Sequence, residues 1–356
     1  MTTASRNHAL GTLRTPRFAT GLLLLFAAVV LTFVAGRMGP YPTLLRGWLF
    51  GFAIWSCAPI GAMTLLLIHR LTGGRWGNAV APVLQPLAAM MPLAAIAFVP
   101  VLTGLRSIYP WAADPSQIDP DVARWYLSEP SFAIRSLLAL IGWSVLGVTF
   151  ALGSGGRLLA ALGLAFFGLM ISLVAVDWYL SVEPHYVATA FASMIAIQQL
   201  LAALVVAAVL SPPELEGKVA RDVAGLLIAT LLGVVYLEYM TYAVAWYGDL
   251  PHKAEWFLKR STTGWTIALV VAFVVGAVLP FTMLLLSSVR SSRWGLRITG
   301  LLLLIGTVLH ITWLLVPAFA AQAAVIATGA AVVALLAVVS ALFGRSIASV
   351  EADHAQ

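Results

Sequence analysis

Apolar residues in this chain run in long unbroken stretches instead of alternating with polar ones, and the stretches end at clusters of Arg, Gly and Pro. A helix that is apolar on every face avoids water all round, and about 20 such residues cross the roughly 30 Å hydrocarbon core of a bilayer. Stretches of that length recur from end to end: Phe18 to Gly36, Leu45 to Ile68, Val80 to Leu105, Ser131 to Gly153, Leu158 to Val176, His185 to Leu210, Val223 to Trp246, Gly264 to Leu286, Trp294 to Leu315 and Ala318 to Phe343. Strands of a membrane barrel are short and alternate in polarity, which these Leu- and Ala-rich runs do not. The pattern predicts an all-α integral membrane protein of about ten transmembrane helices. The first run follows Arg6, Arg14 and Arg17 and ends at Ala35 and Gly36, as a secretory signal does, but it exceeds the usual signal core and is read as a span.

Composition agrees: of 356 residues 61% are hydrophobic and 10% charged, and the mean hydropathy is +0.98, beyond what a water-soluble domain carries. Charge then sets orientation. With ten crossings, twelve of the twenty Lys and Arg residues fall on the side of the N-terminus: Arg6, Arg14, Arg17, Arg70, Arg75, Arg157, Lys218, Arg221, Arg290, Arg293, Arg297 and Arg345. The opposite side has Asp and Glu in balance with its cations. Positive charge is retained on the cytoplasmic side, so both termini are expected there. The pI of 9.7 follows from this topology, and nucleic-acid binding is not needed to explain it.

Three connections on the outer side are long and rich in aromatics and Pro: Arg106 to Pro130, Asp177 to Pro184 and Tyr247 to Thr263. Their Trp111, Trp125, Tyr126, Trp178, Tyr179, Trp246, Tyr247 and Trp256 suit an interfacial aromatic belt. The Asp177 to Tyr186 segment is expected to be an ordered docking element at that surface. Two four-helix bundles, 45–176 and 185–315, with peripheral helices 18–36 and 318–343, form a plausible plan for a single membrane domain.

Ionisable side chains inside spans are costly and therefore functional candidates. Glu238 is placed about 12 Å deep, at about 1.5 Å per residue from the outer end of its span. It is either a proton carrier or a hydrogen-bonded carboxyl that fixes packing. His310 is expected nearer the outer end of its own span. Arg135, Asp177 and His185 share the outer half, and with Tyr239 they are candidates for a quinone site or outer-face site. Gln198, Gln199 and Gln85 continue inward as a candidate proton path. The histidines do not stand at one depth on facing helices, so transmembrane haem is not expected, and no metal-ligand spacing occurs within a span. The single Cys57 excludes both a disulfide within the chain and a four-thiolate cluster cradle.

The string Asp177-Trp178-Tyr179-Leu180-Ser181-Val182-Glu183-Pro184-His185-Tyr186 resembles the Asp-Trp-x-x-Ser-Leu-Glu-Pro-His-Trp pattern of the ActF-like membrane subunits of alternative complex III, in the NrfD-like (polysulfide reductase membrane subunit) superfamily. Gly73-Gly74-Arg75-Trp76-Gly77, Tyr109-Pro110-Trp111, and Trp246-Tyr247-Gly248-Asp249-Leu250-Pro251 with Trp256 and Arg260 add to the resemblance, which runs from about Trp48 to Trp265. It implies a membrane subunit of a quinol:electron-acceptor oxidoreductase that contributes quinone binding or proton translocation. Partners would be an iron-sulfur protein, c-type cytochromes and another NrfD-like subunit, which would hold the clusters and haem c. No catalytic residue acts within this chain alone. The sequence departs from the pattern at Gln85, where relatives often carry a carboxylate, at Asp249 in place of Asn, and at Lys253 within an acidic pair. The alternatives are a structural anchor for periplasmic redox subunits, or a secondary transporter with helix breaks at Pro59, Pro92 and Pro280.

Overall fold

The computed structural model describes residues 42–354 together with Leu23 and Ala27. The expected first span, Phe18 to Gly36, lies outside the described residues except for Leu23 and Ala27, which are both helical. Among the described residues there is no strand, and nine helices are long and apolar enough to cross a membrane. In chain order they are α1 (Pro42–Thr72), α2 (Arg75–Thr103), α3 (Glu129–Ala151), α4 (Arg157–Val182), α5 (Phe191–Leu210), α6 (Gly217–Tyr247), then α8 (Thr263–Leu285), α9 (Arg293–Ala318) and α10 (Gln322–Phe343). Between α6 and α8 lies a short helix, α7 (Pro251–Lys259). The protein is an all-α multi-span membrane protein.

Local chemistry sets the helix ends. Ser128 Oγ accepts from the Ser131 N–H at the start of α3, and Ser292 Oγ from the Gly295 N–H at the start of α9, each satisfying an otherwise orphaned donor. Gly153 closes α3 at φ 67°, a left-handed position that glycine takes without strain. α6 begins at Gly217, earlier than the apolar run, because Lys218, Arg221 and Asp222 extend the helix past the hydrocarbon. α5 begins at Phe191, later than His185, because Pro184 and a turn at Tyr186 occupy the intervening residues. α8 is interrupted by a π-turn at Val274–Val278 just before Pro280. Proline has no N–H for the carbonyl four residues back, so the regular ladder cannot pass.

α1 is the most enclosed helix, with Leu49, Phe52, Ile60, Met63 and Leu67 all at 0% exposure. It packs on α2, α4, α5 and α10, while α2 packs on α3 and α3 on α4. A Cβ added at Gly61 would lie 1.8 Å from the Gln199 carbonyl oxygen, so only glycine lets α1 and α5 approach this closely. α5 in turn packs on α6 and α9, and α9 on α8. α6 meets α8 chiefly at Leu279–Leu285 and the turn beyond it. From there toward Tyr247 the two helices splay apart.

The long connections gather at one end of the helices and form a folded cap. Tyr109 Oη donates to the Trp178 carbonyl at 3.0 Å, Trp111 Nε1 to Ser181 Oγ at 3.1 Å, and Trp178 Nε1 to Ser136 Oγ at 2.9 Å. Burial inside the chain, not residence in a belt, therefore accounts for Trp111, Trp178, Tyr179 and Trp256, all under 10% exposed. Trp125, Trp246 and Tyr247 do face outward.

Candidate functional site

The splay of α6 from α8 leaves a cavity of about 590 Å³, open at the side of the protein. Its walls are mostly aliphatic and aromatic, from Leu231, Val234 and Tyr242 on α6 to Val270 and Phe273 on α8. Its deep end is closed where Gly276 meets Gly306: a Cβ on Gly276 would lie 2.3 Å from the Gly306 Cα. Just above that crossing, Gln198 Nε2 donates to Thr307 Oγ1 at 3.1 Å.

Two ionisable groups face each other in this wall. His310 Nε2 lies 2.7 Å from Glu238 Oε1, with side-chain exposures of 13% and 23%. Sequence placed His310 nearer the outer end because the apolar run stops at Leu315; the helical conformation continues to Ala318. Glu238 is then nine residues from the end of α6 and His310 eight from the end of α9, so they share one depth. His310 Nδ1 is buried with no partner among the described residues. A carboxylate and an imidazole in contact can share one proton and together accept another from a ligand hydroxyl, the geometry that general acid-base chemistry requires.

The cap roofs the cavity through Arg260. Its Nη1 donates to the Trp256 carbonyl at 3.1 Å and its Nη2 to the Leu314 carbonyl at 2.9 Å and to Glu183 Oε2. The guanidinium carbon stands 3.5 Å from the Trp256 ring centroid, and Tyr186 stacks on the other side of the cluster, 4.4 Å from Trp256 at 12°. Lys259 Nζ completes the network on Glu183 Oε1 at 2.8 Å. Burial alone would push the Glu183 carboxyl up, but the charge and hydrogen bond of Arg260 together with Lys259 hold it below the ordinary range. Burial, then the Glu238 carboxylate, push the Tyr186 phenol up, so it stays protonated.

The other candidates separate. Tyr239 lines the cavity mouth at 61% exposure, and Gln198 its deep end. Arg135 and Asp177 pair with each other away from the cavity: Nε to Oδ2 at 2.7 Å and Nη2 to Oδ1 at 2.9 Å, with the guanidinium carbon 4.1 Å from the Tyr126 ring centroid. Gln199 is buried where α1 meets α5, its side-chain amide without a partner among the described residues. Gln85 lines a separate cavity of about 170 Å³ with His69, Arg70 and Asn78. His185 is exposed on the surface of the cap. Its neighbours in the recognisable string are consumed inside the chain, as Asp177, Trp178, Ser181, Glu183 and Tyr186 each contact another segment. The segment expected to present a docking surface is thus mainly a clamp between the cap and the helices.

Sequence did not single out Glu183 and Arg260 as site residues. The near-equal distance of Glu238 and His310 from their helix ends was a usable signal, hidden because the 3-10 turn Val316–Ala318 prolongs α9 beyond the end of its α-helix at Leu315. Among the described residues, no group of three or more His, Cys, Asp or Glu side chains gathers in a way that could hold a metal ion. No family model matches the chain, and no curated protein matches it.

Proposed function

We propose that this chain is the membrane subunit of a quinol:electron-acceptor oxidoreductase like alternative complex III, and that its own part is to bind the quinol and take up its protons. The observation that carries this reading is the Glu238–His310 pair in the wall of a side-open, apolar cavity. A quinol pairs an aromatic, hydroxyl-bearing headgroup with a long apolar tail. Such a ligand enters from lipid, leaves its tail among Val270, Phe273 and their neighbours, and brings its hydroxyl to the acid-base pair. Oxidation releases protons to that pair and electrons to an acceptor in a partner, such as the iron-sulfur protein or c-type cytochromes that the sequence resemblance implies. A second NrfD-like subunit completes the membrane part. The cap then faces the periplasm of a bacterial inner membrane and both termini face the cytoplasm.

The test is Glu238→Gln in the assembled complex. The substitution keeps shape and most hydrogen bonding while removing the acid, so quinol-linked turnover falls about a hundredfold or more, the usual worth of a positioned acid or base. Full turnover with an unchanged pH profile rejects the proposal.

A further inference from the structure

Arg260 is bound on most of its donor edge yet lines the cavity. Its Nη atoms are taken by Glu183 and by the Trp256 and Leu314 carbonyls, while its Nε is buried without a partner among the described residues. The side chain is 1% exposed, so this donor is not hydrated by bulk water. A buried N–H left unpaired on a charged group is expensive, and the guanidinium that carries it lines the cavity. Leu314, which holds Arg260, is four residues along α9 from His310, about 6 Å or one turn toward the cap. The cationic group and the acid-base pair therefore border the same end of one cavity.

Glu238 also acts on Arg260, so the charges at this end balance only until the Glu238–His310 pair takes up a proton, which leaves one positive charge uncompensated. Arg260 and Lys259 are cations and share the single carboxylate of Glu183. Lys259 is half exposed and its charge is largely screened by solvent, whereas Arg260 is held in low dielectric beside the cavity. Trp256 under its guanidinium stabilises the cation further.

We propose that Arg260 is a ligand-binding residue that stabilises an oxyanion, so that the cavity selects headgroups able to lose a hydroxyl proton. This rests on the quinol reading of the same cavity and specifies which state of the headgroup it favours. The ligand O–H bond breaks, the proton passes to the Glu238–His310 pair, and the electron pair stays on the ligand oxygen. Arg260 offsets the negative charge that remains. No oxidant takes part in this step; electrons leave afterwards to the partner's acceptor. Glu183 tempers the device, because it withdraws part of the guanidinium's field from the cavity.

The experiment compares two probes on the full chain in lipid nanodiscs: an alkyl-hydroxyquinoline N-oxide, whose hydroxyl is acidic, and its O-methyl ether, which cannot form the oxyanion. The hydroxyl probe binds about tenfold more tightly, the worth of a charge-assisted hydrogen bond. Arg260→Gln removes that preference while leaving the ether's affinity within about twofold, since apolar burial is untouched. Arg106→Gln, which deletes a surface cation of the cap, leaves the preference unchanged. Should Arg260→Gln fail to fold, Glu183→Gln decides: it frees the guanidinium from its counter-charge and widens the preference. An equal affinity for both probes, a preference that survives Arg260→Gln, or one that is unaltered or narrowed in Glu183→Gln overturns this inference alone. Binding of neither probe overturns it together with the quinol reading.

Discussion

His310 meets Glu238 at 2.7 Å across the gap between α9 and α6, although 72 residues separate them along the chain. Neither helix gains a wide polar face from this contact. The pair stands in a mostly apolar wall with Arg260 toward the cap, and its two members are not part of the cap's own network, which makes them separable from the fold by substitution.

If the two act as one acid-base unit, Glu238→Gln and His310→Gln each lower turnover by a similar factor and the double variant is scarcely worse than either. Groups that act together are non-additive in this way. Steady-state rates of the assembled complex, measured for all four combinations, decide it; independent, multiplying losses show that the residues act separately.

The Arg135–Asp177 pair is a structural ion pair, with Asp177 fully buried. Asp177→Ala should cost about 3–5 kcal/mol because it strands a guanidinium. Asp177→Ala combined with Arg135→Met should recover part of the loss, and thermal unfolding in detergent reads both.

Acid weakens the cap before it weakens the helices. The folded-state carboxyl of Glu183 is depressed, so its contribution is fully present above the ordinary Glu range and is lost as pH falls through the lower, folded value. Proteolysis of the 248–262 connection should therefore accelerate only below about pH 4.5, the top of the window set by the ordinary Glu value, and Glu183→Gln should abolish that acid dependence.

Cysteine labelling reads the topology at His185 and not at Ser181, four residues away, because Ser181 is 2% exposed and bonded to Trp111. In Cys57→Ala protein, His185→Cys should react with an impermeant maleimide from the periplasmic side and Ser181→Cys should stay unlabelled. Reaction of His185→Cys from the cytoplasm alone reverses the orientation.

The crossing of Gly276 and Gly306 tolerates no side chain. Gly306→Val should destabilise the protein by about 1–3 kcal/mol or more through overpacking and reshape the deep end of the cavity. A Tm unchanged from wild type is the contrary result.

Span existence was legible because continuous apolarity is a local property, and the helices that begin at Pro42, Glu129 and Arg157 start within a few residues of their apolar runs. What lay beyond the sequence was lateral. Which face of α6 meets α9, or which connection reaches Glu183, depends on packing between segments far apart in the chain. Glu238 could be found as a carboxyl in a span, but Arg260 stood out only as part of the family resemblance, with nothing to place it beside Glu238. The Asp177 to Tyr186 string attracted notice for its polar residues, and their occupation in clamping the cap is visible only once Tyr109, Trp111 and Trp256 are seen around it.

The cavity mouth between α6 and α8 is flanked by exposed Tyr239, Val270 and Phe273, so on the proposed quinol reading its reservoir is the bilayer and not the surrounding water. Occupancy then tracks a ligand's mole fraction in lipid. Each methylene on a tail is worth about 0.8 kcal/mol of partitioning, which is roughly a fourfold change in local abundance before any contact with the protein. Two compounds with identical headgroups will therefore differ in apparent potency by tail length alone. Adding more lipid to an assay will make both appear weaker by dilution, with no change at Glu238, His310 or Arg260.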